Sequence, residues 1–329
     1  MPPDPRHQAA MDNLTHSLVG ALLGQMGLKK KTGLAIPTLI LAANLPDVDA
    51  ACLAWLDGVQ HLGFRRGITH GPIALLVLPI LLWAAMLAFD RWQTKRGKRP
   101  AARLPIDKGW LLVLAYIGCL SHPALDWLNN YGIRLLEPFS SQWFYGDTIF
   151  IIDLWMWIAL GLSIWLSLRR ERGGAANWQR PAWVGFTAVC AYIFANGLIT
   201  GAAEQTTASA LAAGGHPDAL VVASPPPLAF WQRDIFWRTA DRYGSGSFTP
   251  GVGGNLDIAG QPTGMDDPRL KTWLMGDPGA RAFLFWARMP VAQADGDAIL
   301  LRDQRFMHPL AQDRFQVRLT APDTATRDE

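Results

Sequence analysis

Three stretches of this chain are too long and too apolar for the core elements of a small soluble domain. Residues 71–89 run 19 positions without a charge, 182–203 run 22, and 148–168 carry Asp153 as the one charge in 21. About 20 apolar residues span a hydrocarbon core of roughly 30 Å as a helix, so each predicts a membrane crossing. Three further segments are apolar but interrupted: 14–28, 33–56 with Asp47 and Asp49, and 109–128 with His122 and Asp126. The first is short for a full span and suits a tilted or half-membrane helix. Charged residues make up 17% of the chain, against about 25% in soluble domains, which agrees with lipid as the solvent for much of it.

Loop charges orient these segments. Residues 90–108 hold seven Lys or Arg, 169–181 hold four, and Lys29, Lys30 and Lys31 form a third basic turn. The alternate turns carry only Arg65 and Arg66 between 57 and 70, and Arg134 between 129 and 147. The positive-inside rule assigns the three rich loops to the cytoplasm, and six crossings then place both termini outside. Residues 1–13 are polar and Pro-rich, without the basic-then-apolar order of a cleavable signal. The predicted organisation is an N-terminal tail (1–13), a mainly α, polytopic helical membrane domain of five to six apolar segments (14–203), a linker (204–224), and a small soluble α+β or mainly β domain (225–329) on the outer side. Ser224-Pro225-Pro226-Pro227 signals a stiff connection. Beyond it, 228–237, 298–306 and 314–319 alternate like strands, and 278–289 reads as an amphipathic helix. Three cysteines make no disulfide framework, and a net charge of +3 gives no argument for a nucleic-acid partner.

The ionisable residues inside apolar segments converge. A charge at the bilayer centre costs about 2.5–3.5 kcal/mol on insertion scales, so each such residue is a functional candidate. With the orientation above, His16, Asp47, Asp49, His70, His122, Asp126, Asp147 and Asp153 all fall in the outer half. His122 and Asp126 stand four apart and share one helix face. Asp47 and Asp49 follow Pro46, with alternate residues sharing a face only in extended backbone, so that one ligates while the other orients a histidine. His70 follows the Gly67 hinge. A mixed His/carboxylate set suits Zn first, with Mn or Fe as alternatives, and its size allows one or two divalent ions. Asp147, after Gly146, also reads as a helix cap, Arg65 as a solvated or headgroup-facing cation, and His7 and His61 as surface residues.

Five stretches together resemble the bacterial membrane-bound metal-dependent hydrolase family of the YdjM type. They are Asp12-Asn13-Leu14-Thr15-His16-Ser17, Asn44-Leu45-Pro46-Asp47-Val48-Asp49, Arg66-Gly67-Ile68-Thr69-His70, the run from Ser121-His122 through Asp126 to Asn130-Tyr131-Gly132, and Gly146-Asp147 through Asp153. The resemblance covers about residues 11–170 well and is looser to Ala203. The family pattern has Ser after the Thr-His pair, where this chain has Gly71. The Thr-His and Pro-Asp-x-Asp elements are also similar to those of zinc-dependent phospholipase C proteins.

The resemblance implies an inner-membrane hydrolase with its site at the outer interface. His16, Asp47, Asp49, His70, His122 and Asp126 would hold the metal, and Asp153 or Asp147 would serve as general base. Arg66 and Asn130 would hold an anionic group of a phospholipid or another lipid-linked phosphoester drawn from the bilayer. A transporter using the same His/Asp cluster as an ion or proton relay is the alternative.

Overall fold

Proline, glycine and charge divide the apolar segments into helices of unequal length. The protein is described here by a computed structural model covering residues 6–307 and 314–321, with side chains from Asn13 onward; the side chain of His7 lies outside them. Helix α1 spans Arg6–Gln25, α2 Ala35–Asn44, α3 His61–Phe64, α4 Pro72–Lys95, α5 Lys108–Leu128, α6 Leu154–Arg172 and α7 Arg180–Ala213. Among the described residues, four stretches are long and apolar enough to cross a membrane: Ala35–Ala54, Pro72–Lys95, Lys108–Leu128 and Arg180–Ala213. Segment 14–28 lies largely in α1, which begins upstream at Arg6, within the predicted tail. Segment 148–168 starts as a helix only at Leu154, because Asp153 caps α6 and the residues before it are irregular.

The second segment departs most from a simple span. Helix α2 stops at Asn44, and Pro46 opens a 3₁₀ stretch, Leu45–Ala54, that carries both aspartates. Proline cannot donate to the preceding helical turn, and 3₁₀ runs beyond a few residues are uncommon. With about three residues per turn, Asp47 and Asp49 both reach Arg65 and His70, through different atoms of each. Helix α2 sits between α1 and α5, with Leu39, Ala42 and Ala43 fully buried. Gly118 of α5 makes this possible, since a Cβ there would meet Leu39 O at 2.8 Å and Ala42 Cβ at 2.7 Å.

The basic loops gather at one end of the helical bundle. Lys29 pairs with Glu171 and, with Lys30, lies over Trp178. The Gly33 amide donates to Pro105 O at 3.0 Å, and Thr32 and Asp107 bond each other. Gln25 accepts from Ser167 near the far end of α6. His122 is fourteen residues along α5 from Lys108, about 21 Å at 1.5 Å per residue, so it lies toward the opposite end.

The predicted linker is regular structure. Residues 204–213 complete α7, and β1 (Leu220–Ser224) begins a four-stranded antiparallel sheet with β2 (Arg233–Arg238), β3 (Arg242–Phe248) and β4 (Gln261–Pro262). Helices α8 (Pro268–Gly276) and α9 (Pro278–Trp286) precede a second sheet of β5 (Pro290–Asp295), β6 (Ala298–Asp303) and β7 (Gln316–Leu319). This C-terminal part shares its core with the helical part: Leu62 and Tyr131 pack with Phe283, Trp286, Leu301 and Phe315. Arg233, fully buried, donates to Asn196 O at 2.7 Å and Thr200 Oγ1 at 2.8 Å on α7. Burial in the absence of a carboxylate partner lowers its pKa to about 10. The two parts are thus pinned together.

Candidate metal centre

Four elements deliver five ionisable side chains to one buried point. His16 comes from α1, Asp47 from the 3₁₀ stretch, His70 from a short turn before α4, and His122 and Asp126 from α5. All five are at most 6% exposed. His16, His122 and Asp126 form one group whose ligand atoms lie within 4.8 Å of one another, and Asp47, His70 and His122 form a second. The His16 ring stacks on His122 with centroids 3.8 Å apart. The predicted i, i+4 pair on α5 is present, with His122 Nε2 at 3.3 Å from Asp126 Oδ2.

Hydrogen bonds on the far side of two rings decide what faces the centre. His122 Nδ1 is 2.7 Å from Ala43 O, a pure acceptor, so that nitrogen carries the proton and Nε2 offers a lone pair. The Thr69 hydroxyl donates to Asp49 Oδ2 at 3.0 Å, leaving its oxygen to accept from His70 Nδ1 at 3.0 Å. His70 Nε2 therefore also presents a lone pair. The two Nε2 atoms stand 3.1 Å apart, with Asp47 Oδ1 at 3.9 Å from one and 3.8 Å from the other. Two ring nitrogens this close among carboxylates call for a shared proton or a bound cation between them. Both oxygens of Asp126 are buried without a hydrogen bond, though Arg66 Nε, His16, His70 and His122 stand at 3.1–3.5 Å. The donor set fits a divalent ion.

Asp49 belongs behind this set. Its Oδ2 accepts from the Arg66 amide at 2.7 Å as well as from Thr69, so it orients His70 and the Arg66 backbone. It was expected among the ligands and falls in neither of the two groups, although it shares Arg65 and His70 with Asp47. Thr69, which completes the relay, was not singled out in the sequence, although it stands beside His70.

The two residues expected as general base are each engaged by other partners, although Asp153 lines a small pocket together with His16 and Asp126. Asp153 caps α6 through Met156 N at 2.9 Å and accepts from Tyr192 OH at 2.7 Å. Its carboxylate thus has a structural explanation that the apolar run did not suggest, since Tyr192 lies on α7. Asp147, at φ 46°, pairs with Arg288 at 2.5 Å and caps no helix. Both are held by partners outside the cluster.

Arg65 and Arg66 are buried, not solvated. Arg65 donates to Asp47 Oδ1 at 2.9 Å, and Arg66 reaches Asp126 Oδ2 at 3.1 Å, Asn129 Oδ1 at 3.1 Å and the face of Tyr131. Arg66 has φ 53°, a left-handed conformation unfavourable for a side chain of this size. Its amide bond to Asp49 and the Arg134 amide on its carbonyl hold it there. Arg134 also donates to the carbonyls of Gly63, Phe64 and Arg65, clamping the loop. His61, expected at the surface, is buried with Nδ1 2.9 Å from Gly58 O, and burial holds its pKa below the ordinary imidazole value. Gly71 is explained as well: a Cβ there would stand 1.9 Å from Glu137 O, so the serine of the family pattern has no room beside this loop.

Comparison with curated proteins and with solved structures finds no match. The sequence profile described as YdjM inner membrane protein matches residues 11–203, a stretch that contains every ligand candidate, helices α2 to α6 whole and most of α1 and α7. A match over more than half of the chain, carrying the whole His/Asp cluster, places this protein in the YdjM family of inner membrane proteins.

Proposed function

We propose that the chain is a metal-dependent hydrolase that cleaves a phosphoester of a membrane lipid at the outer face of the inner membrane. The observation that carries this reading is the pair of imidazole Nε2 atoms 3.1 Å apart, flanked by Asp47 and Asp126. His16, Asp47, His70, His122 and Asp126 would hold one or two divalent ions, with Zn the first choice and Mn or Fe the alternatives. When bound, such an ion supplies a Lewis acid and acidifies water enough for attack near neutral pH.

The chain's own residues set the rest. Asp49, through Thr69, fixes the His70 ring, and Ala43 O fixes His122. The Asp126 carboxylate has two buried oxygens, so one can ligate while the other holds a proton. Arg66 and Asn130 meet the phosphate. Three carboxylates (Asp47, Asp49, Asp126) against two guanidiniums (Arg65, Arg66) leave one negative charge, which a divalent ion reverses. The loaded site then attracts an anion. A cluster confined to one depth, with apolar Leu111, Leu114 and Ala115 between it and the basic end, favours this reading over an ion path.

Detergent-purified protein is expected to release the headgroup or phosphate from anionic lipid extracts, to stop with a chelator and to recover with Zn. No release from any lipid, with metal bound, refutes the reading. The basic end of the bundle supports a cytoplasmic position for the loop near Lys98. A reporter fused there should behave as cytoplasmic and one after Glu329 as extracytoplasmic; both on one side contradicts the orientation.

A further inference from the structure

A cavity of about 770 Å³ lies between the helical part and the C-terminal part, beside the ligand cluster. Its two ends differ. The inner end is buried and polar, with Arg65, Arg66 and Asn130 from the helical part and Arg305 and Arg314 from the C-terminal part. The outer end is apolar, with Leu154 and Trp157 of α6 facing Leu228 and Phe236. Leu154 is 42% and Leu228 60% exposed, so the cavity reaches the surface between them. Exposed Trp155 and Trp231 flank that opening, and Trp155 Nε1 donates to Leu228 O at 2.9 Å. Tryptophans of this kind concentrate at membrane–water interfaces.

We propose that this cavity binds one phosphate-bearing lipid, with the C-terminal part supplying half of its wall. The phosphate sits at Arg66, Asn130 and Arg314, and the chains leave between α6 and the Pro225–Pro227 segment into the bilayer. Asp234 is the one carboxylate among the described lining residues, so the wall is cationic overall. Arg65, Arg66 and Arg305 already face Asp47, Asp126 and Asp303. Arg314 forms no ion pair among the described residues and is half-buried at the lining. The Asn130 side-chain oxygen is buried with no hydrogen-bond partner, and its carboxamide lines the same space. A soluble anion would gain nothing from the apolar end, whereas a lipid uses both ends. The prolines keep the outer wall in place without a mobile lid.

This assignment rests on the hydrolase reading for the direction of the lipid, and binding tests it separately from turnover. The metal-loaded full chain in detergent is mixed with a phosphonate analogue of phosphatidylglycerol, which resists hydrolysis, with diacylglycerol, or with inorganic phosphate. Lipid and metal retained per chain are read by native mass spectrometry. One phosphonolipid per chain is expected, with diacylglycerol retained at least about tenfold less and inorganic phosphate unable to displace the lipid. Arg314→Gln should lower retention by about tenfold, the scale of one charge-assisted contact, with metal content unchanged. Leu228→Asp, at an exposed position, should also lower it by placing a charge in the path of the chains. Equal retention of diacylglycerol, displacement by phosphate, or wild-type retention in both variants overturns the pocket. Retained phosphonolipid in a protein that cleaves nothing upholds the pocket and refutes the hydrolase. Turnover with wild-type binding in both variants does the reverse.

Discussion

Asp126→Ala is expected to strip the protein of metal and of turnover together. Asp126 faces three histidines and Arg66 within 3.5 Å. Its loss removes the carboxylate facing Arg66 Nε and leaves the ligand set one short. Bound metal per chain should fall by more than half, and hydrolysis by at least roughly 10²-fold, the lower range for a lost acid/base group. Asp153→Asn is the contrasting variant. Asparagine still accepts from Met156 N, so metal content should be unchanged and turnover should stay within a few-fold of wild type. Elemental analysis and a hydrolysis assay on both proteins, with folding checked by circular dichroism, separate the two roles. Metal loss in Asp153→Asn, or normal metal and turnover in Asp126→Ala, contradicts the assignment.

Asp303→Ala should produce the largest loss of stability in the C-terminal part. Asp303 and Arg305 form a two-pronged pair with both side chains fully buried, and Arg305 also donates to Asn130 O at 2.6 Å across the interface. Removing one partner of such a pair leaves a buried charge and costs about 3–5 kcal/mol. The thermal unfolding midpoint should drop sharply, and a second substitution, Arg305→Met, should restore part of it. Burial pushes the Asp303 carboxyl up, but the Arg305 guanidinium and the Arg305 and Met289 amides outweigh this and hold it below the ordinary value. A depressed native pKa stabilises the fold above the unfolded value of about 3.9 and loses that stabilisation as pH falls through the native one. The wild-type midpoint should therefore owe no pH dependence to this pair between about pH 5 and 8. An Asp303→Ala midpoint equal to wild type would refute the role.

Much of the centre was legible because its chemistry conflicts with its surroundings. His122 and Asp126 stand out in an apolar helix, and the spacing of four is a local property that survives folding. The basic loops were equally legible, and they do collect at one end. Asp153 was noticed for its charge, but its capping role was not legible. Its partner, Tyr192, is 39 residues away on another helix, and no local pattern announces a cap that also takes a tyrosine hydroxyl. The Asp47/Asp49 pair depended on backbone conformation: an extended chain and a 3₁₀ turn aim alternate residues differently. The linker was misjudged because residues 204–219 are small and polar, a composition that also suits the exposed end of a long helix. The C-terminal share of the cavity was invisible, since Arg305 and Arg314 sit in strand-like sequence with no motif around them. Leu62 and Tyr131 entering that core is a tertiary fact alone.

Histidine nitrogens and aspartate oxygens from α1, α5 and the two turns between α2 and α4 are expected to share a metal. X-ray absorption at the metal edge of the purified, Zn-loaded full chain tests it most directly. The predicted spectrum shows a mixed shell of at least two imidazoles with carboxylate oxygens, and it loses one imidazole in His70→Ala. A chain that retains no metal after desalting, or one whose shell contains no imidazole, contradicts the account.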